Sequence, residues 1–122
     1  TKQATLGLSI CYDLRFPSLF RSLTKKGAQI IFIPSAFTVP TGKDHWETLL
    51  RTRAIENTVF VVATAQCGKH HANRKTYGHS MIINPWGKII RKTTSLPKIL
   101  NSSINLEEIK VTRLRMPSIY LD

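Results

Sequence analysis

Leu8-Ser9-Ile10-Cys11-Tyr12-Asp13-Leu14-Arg15-Phe16-Pro17 reads as a strand that stops at a cysteine and turns into a helix. The apolar run from Thr5 to Ile10 has the character of a buried strand. Polar and turn-forming residues follow Cys11 at once, and Pro17-Ser18 suits a first helical turn. A thiol at such an elbow is geometrically exposed and lies near backbone N–H groups that favour its thiolate. Strand-to-helix elbows present nucleophiles in this way. The competing reading is a buried free cysteine acting as a small hydrophobe.

Working outward, Ser18–Lys26 reads as a short helix closed by Gly27. Gln29-Ile30-Ile31-Phe32-Ile33 is a second apolar strand, stopped by Pro34. Strand, helix and buried strand in this order make a βαβ unit with parallel strands. A loop covers Ser35–Lys43. Asp44 then reads as a helix cap, with Glu47 in capping-box spacing, and Trp46, Leu49, Leu50, Arg53 and Ala54 share one helical face. Val59–Ala65 is a third buried strand, and Gly68–Thr76 a polar basic loop. His79–Ile83, the turn Asn84-Pro85-Trp86-Gly87 and Lys88–Arg91 form an antiparallel hairpin. Lys98–Ile104 is expected to be a last strand and Leu106–Arg113 a last helix. The fold class is therefore α/β, a mixed sheet with parallel strands first and a later hairpin. Such sheets carry their chemistry beyond the carboxyl ends of their strands. The segments Cys11–Pro17, Ser35–Lys43 and Gln66–Tyr77 are expected to form one rim there.

The bulk properties narrow the class. The 122 residues suit one domain or part of one, and 42% hydrophobic residues argue against wholesale disorder. There is no apolar run of membrane-spanning length, and Thr1-Lys2-Gln3-Ala4-Thr5 does not read as a signal peptide. The chain begins without Met, so a lost or processed N-terminus is expected. Eighteen Lys+Arg against seven Asp+Glu give a net charge of +11. The basic residues are spread along the chain with no block or aromatic-interleaved stripe, which argues against nucleic acid or a membrane as partner. Cys11 and Cys67 are too few for a disulfide framework and fit a reducing, cytosol-like compartment. No Gly-rich phosphate loop is present. Cys67, His70, His71 and His79 lack paired short spacings, so neither a metal nor a cofactor is expected.

A cysteine nucleophile attacking a carbonyl or nitrile carbon needs a base, donors for the oxyanion and a proton for the leaving amine. By residue type the base is open among His45, His70, His71, His79, Asp13, Glu47 and Glu56. Asp13 and Arg15 suit a local ion pair supporting the elbow. Trp46 and Trp86 read mainly as packing residues.

Cys11-Tyr12-Asp13-Leu14-Arg15-Phe16-Pro17 resembles the nucleophile motif of the nitrilase superfamily of carbon–nitrogen hydrolases. The resemblance continues through Pro34-Ser35-Ala36-Phe37, His45–Asn57, Ala65-Gln66-Cys67-Gly68, Tyr77-Gly78-His79-Ser80 and Asn84-Pro85-Trp86-Gly87, and fades after Arg91. It is nearest to the branch of the deaminated glutathione amidases. The resemblance implies part of a four-layer αββα sandwich of the nitrilase type, in a protein that forms a homodimer or larger homo-oligomer. It also implies a Cys–Glu–Lys triad, often with a second glutamate, and Cys11 matches the nucleophile.

The family's two glutamates and its lysine precede the cysteine by many residues. Here only ten residues precede Cys11, none of them acidic, and Lys2 lies too close to match. Glu47 and Glu56 belong to the later helix and are not triad members. The resemblance thus implies that residues 1–122 are the C-terminal portion of a single hydrolase domain, nearly inactive alone and prone to aggregate. It makes the Tyr12 backbone N–H an oxyanion donor and places Ser35, Ala36 and Phe37 along the substrate pocket. The implied substrate is a small linear amide such as deaminated glutathione or an ω-amide, cleaved through a thioester. Lys69, Arg74 and Lys75 would suit a carboxylate on it. The compartment would be the cytoplasm or the mitochondrion. A non-catalytic assembly or binding module derived from such an enzyme is the alternative.

Overall fold

Gly7 and Ile31 lie side by side at the centre of the first strand pair. In the computed structural model, which describes residues 1–122, β1 (Leu6–Leu8) pairs in parallel with β2 (Ile30–Phe32), setting Leu6, Gly7 and Leu8 against Ile30, Ile31 and Phe32. The crossover between them is α1 (Pro17–Lys25). Proline begins it because a fixed φ and a missing N–H cost nothing in the first turn. Gly27 ends it at φ 98°, donating to Thr24 O at 2.9 Å, a left-handed position that glycine takes without a Cβ penalty.

The second crossover is longer. Thr38 is extended, and Pro40 lies in the first turn of α2 (Val39–Thr41). A π-helical turn over Gly42–Trp46 then runs straight into α3 (Glu47–Asn57). This corrects the reading of Asp44 as a cap. The chain is already helical there, because Thr38 and Pro40 supply the start signal several residues earlier. The Oγ1 atoms of Thr38 and Thr41 stand 2.9 Å apart at that start.

After α3, β3 (Phe60–Ala63) joins β2 in parallel. Gly68–Thr76, expected as a loop, is instead largely a small separate hairpin of β4 (Cys67–Lys69) and β5 (Lys75–Tyr77). Left-handed backbone at Ala72 and Asn73 makes its tight reversal, a conformation that composition does not announce. The expected antiparallel hairpin is present as β6 (Met81–Ile83) and β7 (Ile89–Lys92), with β6 beside β3. The sheet order is β1-β2-β3-β6-β7. Lys98–Ile104 forms no strand, although Lys98, Ile99 and Leu100 lie against Val62 and Ile82 around a cavity. The final helix, α4, is Glu107–Arg115.

Residues in register share a face of the sheet. Ile31, Val61 and Ile83 point to one side with Ile33, Ala63 and Met81, and there they meet Phe20 of α1 and Leu50 and Ala54 of α3. Trp46 is fully buried in this core, donating Nε1–H to His79 O at 2.9 Å. Trp86 is 46% exposed and carries the Arg115 guanidinium over its ring, so of the two tryptophans only Trp46 is a core residue. No helix is long and apolar enough to cross a membrane.

Candidate active site at the Cys11 elbow

Cys11 is pinned where β1 runs out. Its N–H donates to Pro34 O at 2.8 Å, so the exit of β2 fixes the exit of β1. Its φ is +44°, a left-handed conformation that costs a non-glycine residue about 1–2 kcal/mol. Strain of this kind persists only where its surroundings hold it, and it concentrates at functional positions. Beyond it, Cys11–Arg15 forms a 3₁₀ turn. The Asp13 carboxylate accepts the Ile10 N–H at 2.9 Å, and the Asp13 N–H donates to Ile10 O at 2.9 Å. The Tyr12 N–H stands between these bonds and takes part in neither, as expected for the first turn of a helix.

Arg53 holds the turn from below. It is 4% exposed, and its Nε and Nη2 both donate to Leu14 O, at 3.1 and 2.9 Å. Its Nη1 reaches Glu56 Oε1 at 2.9 Å, and its guanidinium lies 5.4 Å from the Phe20 ring centre. One buried cation thereby ties α3 to the elbow. Sequence reasoning did not assign Arg53 this role. The signal was an arginine on the apolar face of a helix, since a charge there must be paired and hydrogen-bonded.

The cysteine opens on a cavity of about 210 Å³ lined by Tyr12, Arg15, Ala36, Phe37, Thr38 and Thr41. Cys11, Ala36 and Phe37 are thus brought together. Ser35 is outside the lining: its backbone bridges Ala65, its N–H donates to Thr64 O at 2.8 Å, and its hydroxyl turns back to Ile33 O. The three-loop rim does form, because Tyr77 N–H donates to Phe37 O at 2.9 Å and Thr38 bridges Thr76.

Each side chain considered as a base stays out of the lining of the Cys11 cavity. His45 Nδ1 lies 3.3 Å from both terminal nitrogens of Arg15 and meets the elbow only through it. His70 Nε2 is 2.8 Å from the Thr76 hydroxyl. His79 Nδ1–H donates to Tyr77 O at 2.6 Å with its ring stacked on Tyr77, and His71 is exposed. Glu47 pairs with Lys92 and Arg51, Glu56 with Arg53, and Asp13 caps the elbow. No carboxylate or imidazole lines the Cys11 cavity. The ion pair expected between Asp13 and Arg15 is absent; Arg15 lies over the Tyr12 and Phe37 rings instead, at 5.5 and 5.4 Å. No three His, Cys, Asp or Glu side chains converge as a metal site, and both cysteines are free.

The carbon–nitrogen hydrolase family model matches residues 1–114, from β1 through most of α4. The chain belongs to the carbon–nitrogen hydrolase family. It is similar to the deaminated glutathione amidase of Synechocystis sp., 53% identical over 114 residues that cover 93% of this chain and 42% of that protein. The Homo sapiens deaminated glutathione amidase is 45% identical over 117 residues, covering 96% of this chain and 36% of that protein. The crystal structure of the C. elegans NitFhit protein superposes with a TM-score of 0.92 at 47% identity, over 96% of this chain and 28% of that one. The chain spans about two-fifths of the length of the curated carbon–nitrogen hydrolases it matches. Its mixed sheet, parallel strands first, is thus the nitrilase arrangement.

Proposed function

We propose that Cys11 is the nucleophile of an amidase that cleaves a small linear amide, such as deaminated glutathione or an ω-amide. The observation that carries this reading is the cysteine held at positive φ where β1 ends, facing a cavity. The similarity to deaminated glutathione amidases supports the substrate class. The thiolate attacks the amide carbon, and the carbonyl π electrons move to oxygen, which accepts a hydrogen bond from the Tyr12 N–H in this reading. The tetrahedral species collapses, the C–N bond breaks, and the amine leaves carrying the proton that the thiol gave up. Water then opens the thioester, releasing a carboxylic acid and restoring the thiol. Ala36 and Phe37 contact the substrate, while Ser35 holds their loop in register. Lys69, Arg74 and Lys75 do not line the Cys11 cavity, so any preference they give for an anionic substrate acts through the field around the rim and not by contact.

We infer also that residues 1–122 act as the C-terminal portion of one hydrolase domain. The cavity holds no carboxylate to activate water and no lysine to complete an oxyanion site. General acid–base assistance is worth roughly 10²–10⁴-fold, so the chain alone should turn over amides close to background. In this reading the intact protein assembles as a homodimer or larger homo-oligomer in a reducing compartment. The same empty lining favours a second reading, a non-catalytic assembly or binding module.

The test is Cys11→Ala in the protein that contains this chain, followed by hydrolysis of deaminated glutathione and of ω-amides, with intact mass measured during turnover. The first reading expects an acyl adduct on Cys11 and activity that disappears with it. Activity that survives the substitution would remove Cys11 from the chemistry. An intact protein with neither turnover nor adduct would leave the binding module.

A further inference from the structure

The β4–β5 hairpin and the helical run that begins at Val39 border a second, open cavity of about 450 Å³. Lys43, Lys69 and Lys75 line it together with Thr76, Tyr77 and Ser95. It shares no lining residue with the cavity at Cys11. No aspartate or glutamate faces it, and none of its three lysines takes part in an ion pair. Lys69 and Lys75 are moreover direct cross-strand partners. Like charges set opposite each other in an antiparallel pair weaken it. Lys43 brings a third positive charge to the same hollow from a different element. The three lysines are exposed, and a concave surface lined by one sign of charge concentrates counter-ions more than a flat one does. Tyr77, the wall between the two elements, is fixed by Gly42, where any Cβ would collide with its ring.

We propose that this cavity is an anion-binding site, separate from Cys11, for a small molecule carrying at least two carboxylate or phosphate charges. The anion neutralises the Lys69–Lys75 pair and joins the hairpin to Lys43. It thereby steadies the strip from Phe37 to Thr41, whose other side lines the Cys11 cavity.

The protein that contains this chain is titrated calorimetrically with inorganic pyrophosphate and, separately, with glutarate, which distinguishes phosphate from carboxylate ligands. The expected result is saturable one-to-one binding of at least one probe, weakening as salt is raised. Each of Lys43→Ala, Lys69→Ala and Lys75→Ala should weaken it about fivefold, the scale of one partly screened charge pair. Cys11→Ser and the α1 double variant Lys25→Ala/Lys26→Ala should bind as the parent does. Absence of saturation with both probes overturns the proposal, as does an equal loss in the α1 variant, which would mean diffuse attraction to a basic protein. Lys75→Glu supplies a second arm. It should abolish binding and raise the thermal midpoint by relieving the cross-strand repulsion, and an unchanged or lowered midpoint would contradict that part of the argument.

Discussion

On one face of the five-stranded sheet, Ile31, Val61 and Ile83 are fully buried beneath α1 and α3. On the other face, Leu8 and the following Ile10 are equally apolar yet stand 71% and 65% exposed. Phe60 and Ile82 on that second face are buried, so the bare part is its β1 end, and β1 is also an edge strand. The difference lies in what each face has to pack against. The covered face builds a complete core and anchors the elbow from below through Arg53. Within residues 1–122 the bare end leaves apolar side chains and a strand edge without a partner, the combination that invites association.

Substitutions on the covered side should break this contrast most severely. Trp46→Ala removes the largest buried ring, together with its bond to His79 O and its contact with Phe37 at 4.8 Å. A loss of about 3–5 kcal/mol is expected from the emptied volume, read as a shift of the urea midpoint. Arg53→Met should cost about 2–4 kcal/mol, since it leaves Leu14 O without its buried donors and Glu56 without its partner. It should also speed alkylation of Cys11 by iodoacetamide, because the turn loses its anchor. A variant as stable and as slowly alkylated as the parent would mean that α3 does not hold the elbow.

Gly42→Ala forces a methyl group against Tyr77 and should cost about 1–3 kcal/mol through overpacking. Hydrogen exchange should then rise in the β4–β5 hairpin before it rises in β3. The smallest stability effect is expected on the bare side. The double variant Leu8→Lys/Ile10→Lys should change stability by no more than about 0.5 kcal/mol per site while reducing aggregation in sedimentation experiments. A large loss of stability there would show that the exposed end is packed in solution and that the contrast between the faces is false.

The strongest local signals were legible in the chain. Pro17 and Gly27 bracket α1 because each forces or permits a backbone conformation independent of its neighbours. The apolar runs around Ile31 and Val61 were legible as parallel strands because continuous hydrophobicity is the mark of a strand in the interior of such a sheet. The β6–β7 hairpin was equally clear from its Asn84–Gly87 turn. Legibility failed where two local signals competed. Asp44 has the chemistry of a cap, but Thr38 and Pro40 start the helix first. The β4–β5 hairpin depends on left-handed Ala72 and Asn73, and nothing in the side chain of an alanine announces that conformation.

The site divides in the same way. The sequence alone determined which residue is the candidate nucleophile, where its strand ends and to which family the chain points, because these rest on residue identity and order. Tertiary structure decided the rest, since distance in space has no local code. It placed Ala36 and Phe37 beside Cys11 while turning Ser35 into the sheet. It left every candidate base out of the Cys11 cavity and put Arg53 beneath the elbow. It also set Lys69 opposite Lys75 with Lys43 alongside, a meeting of charges that exists only once the hairpin has folded onto the helix.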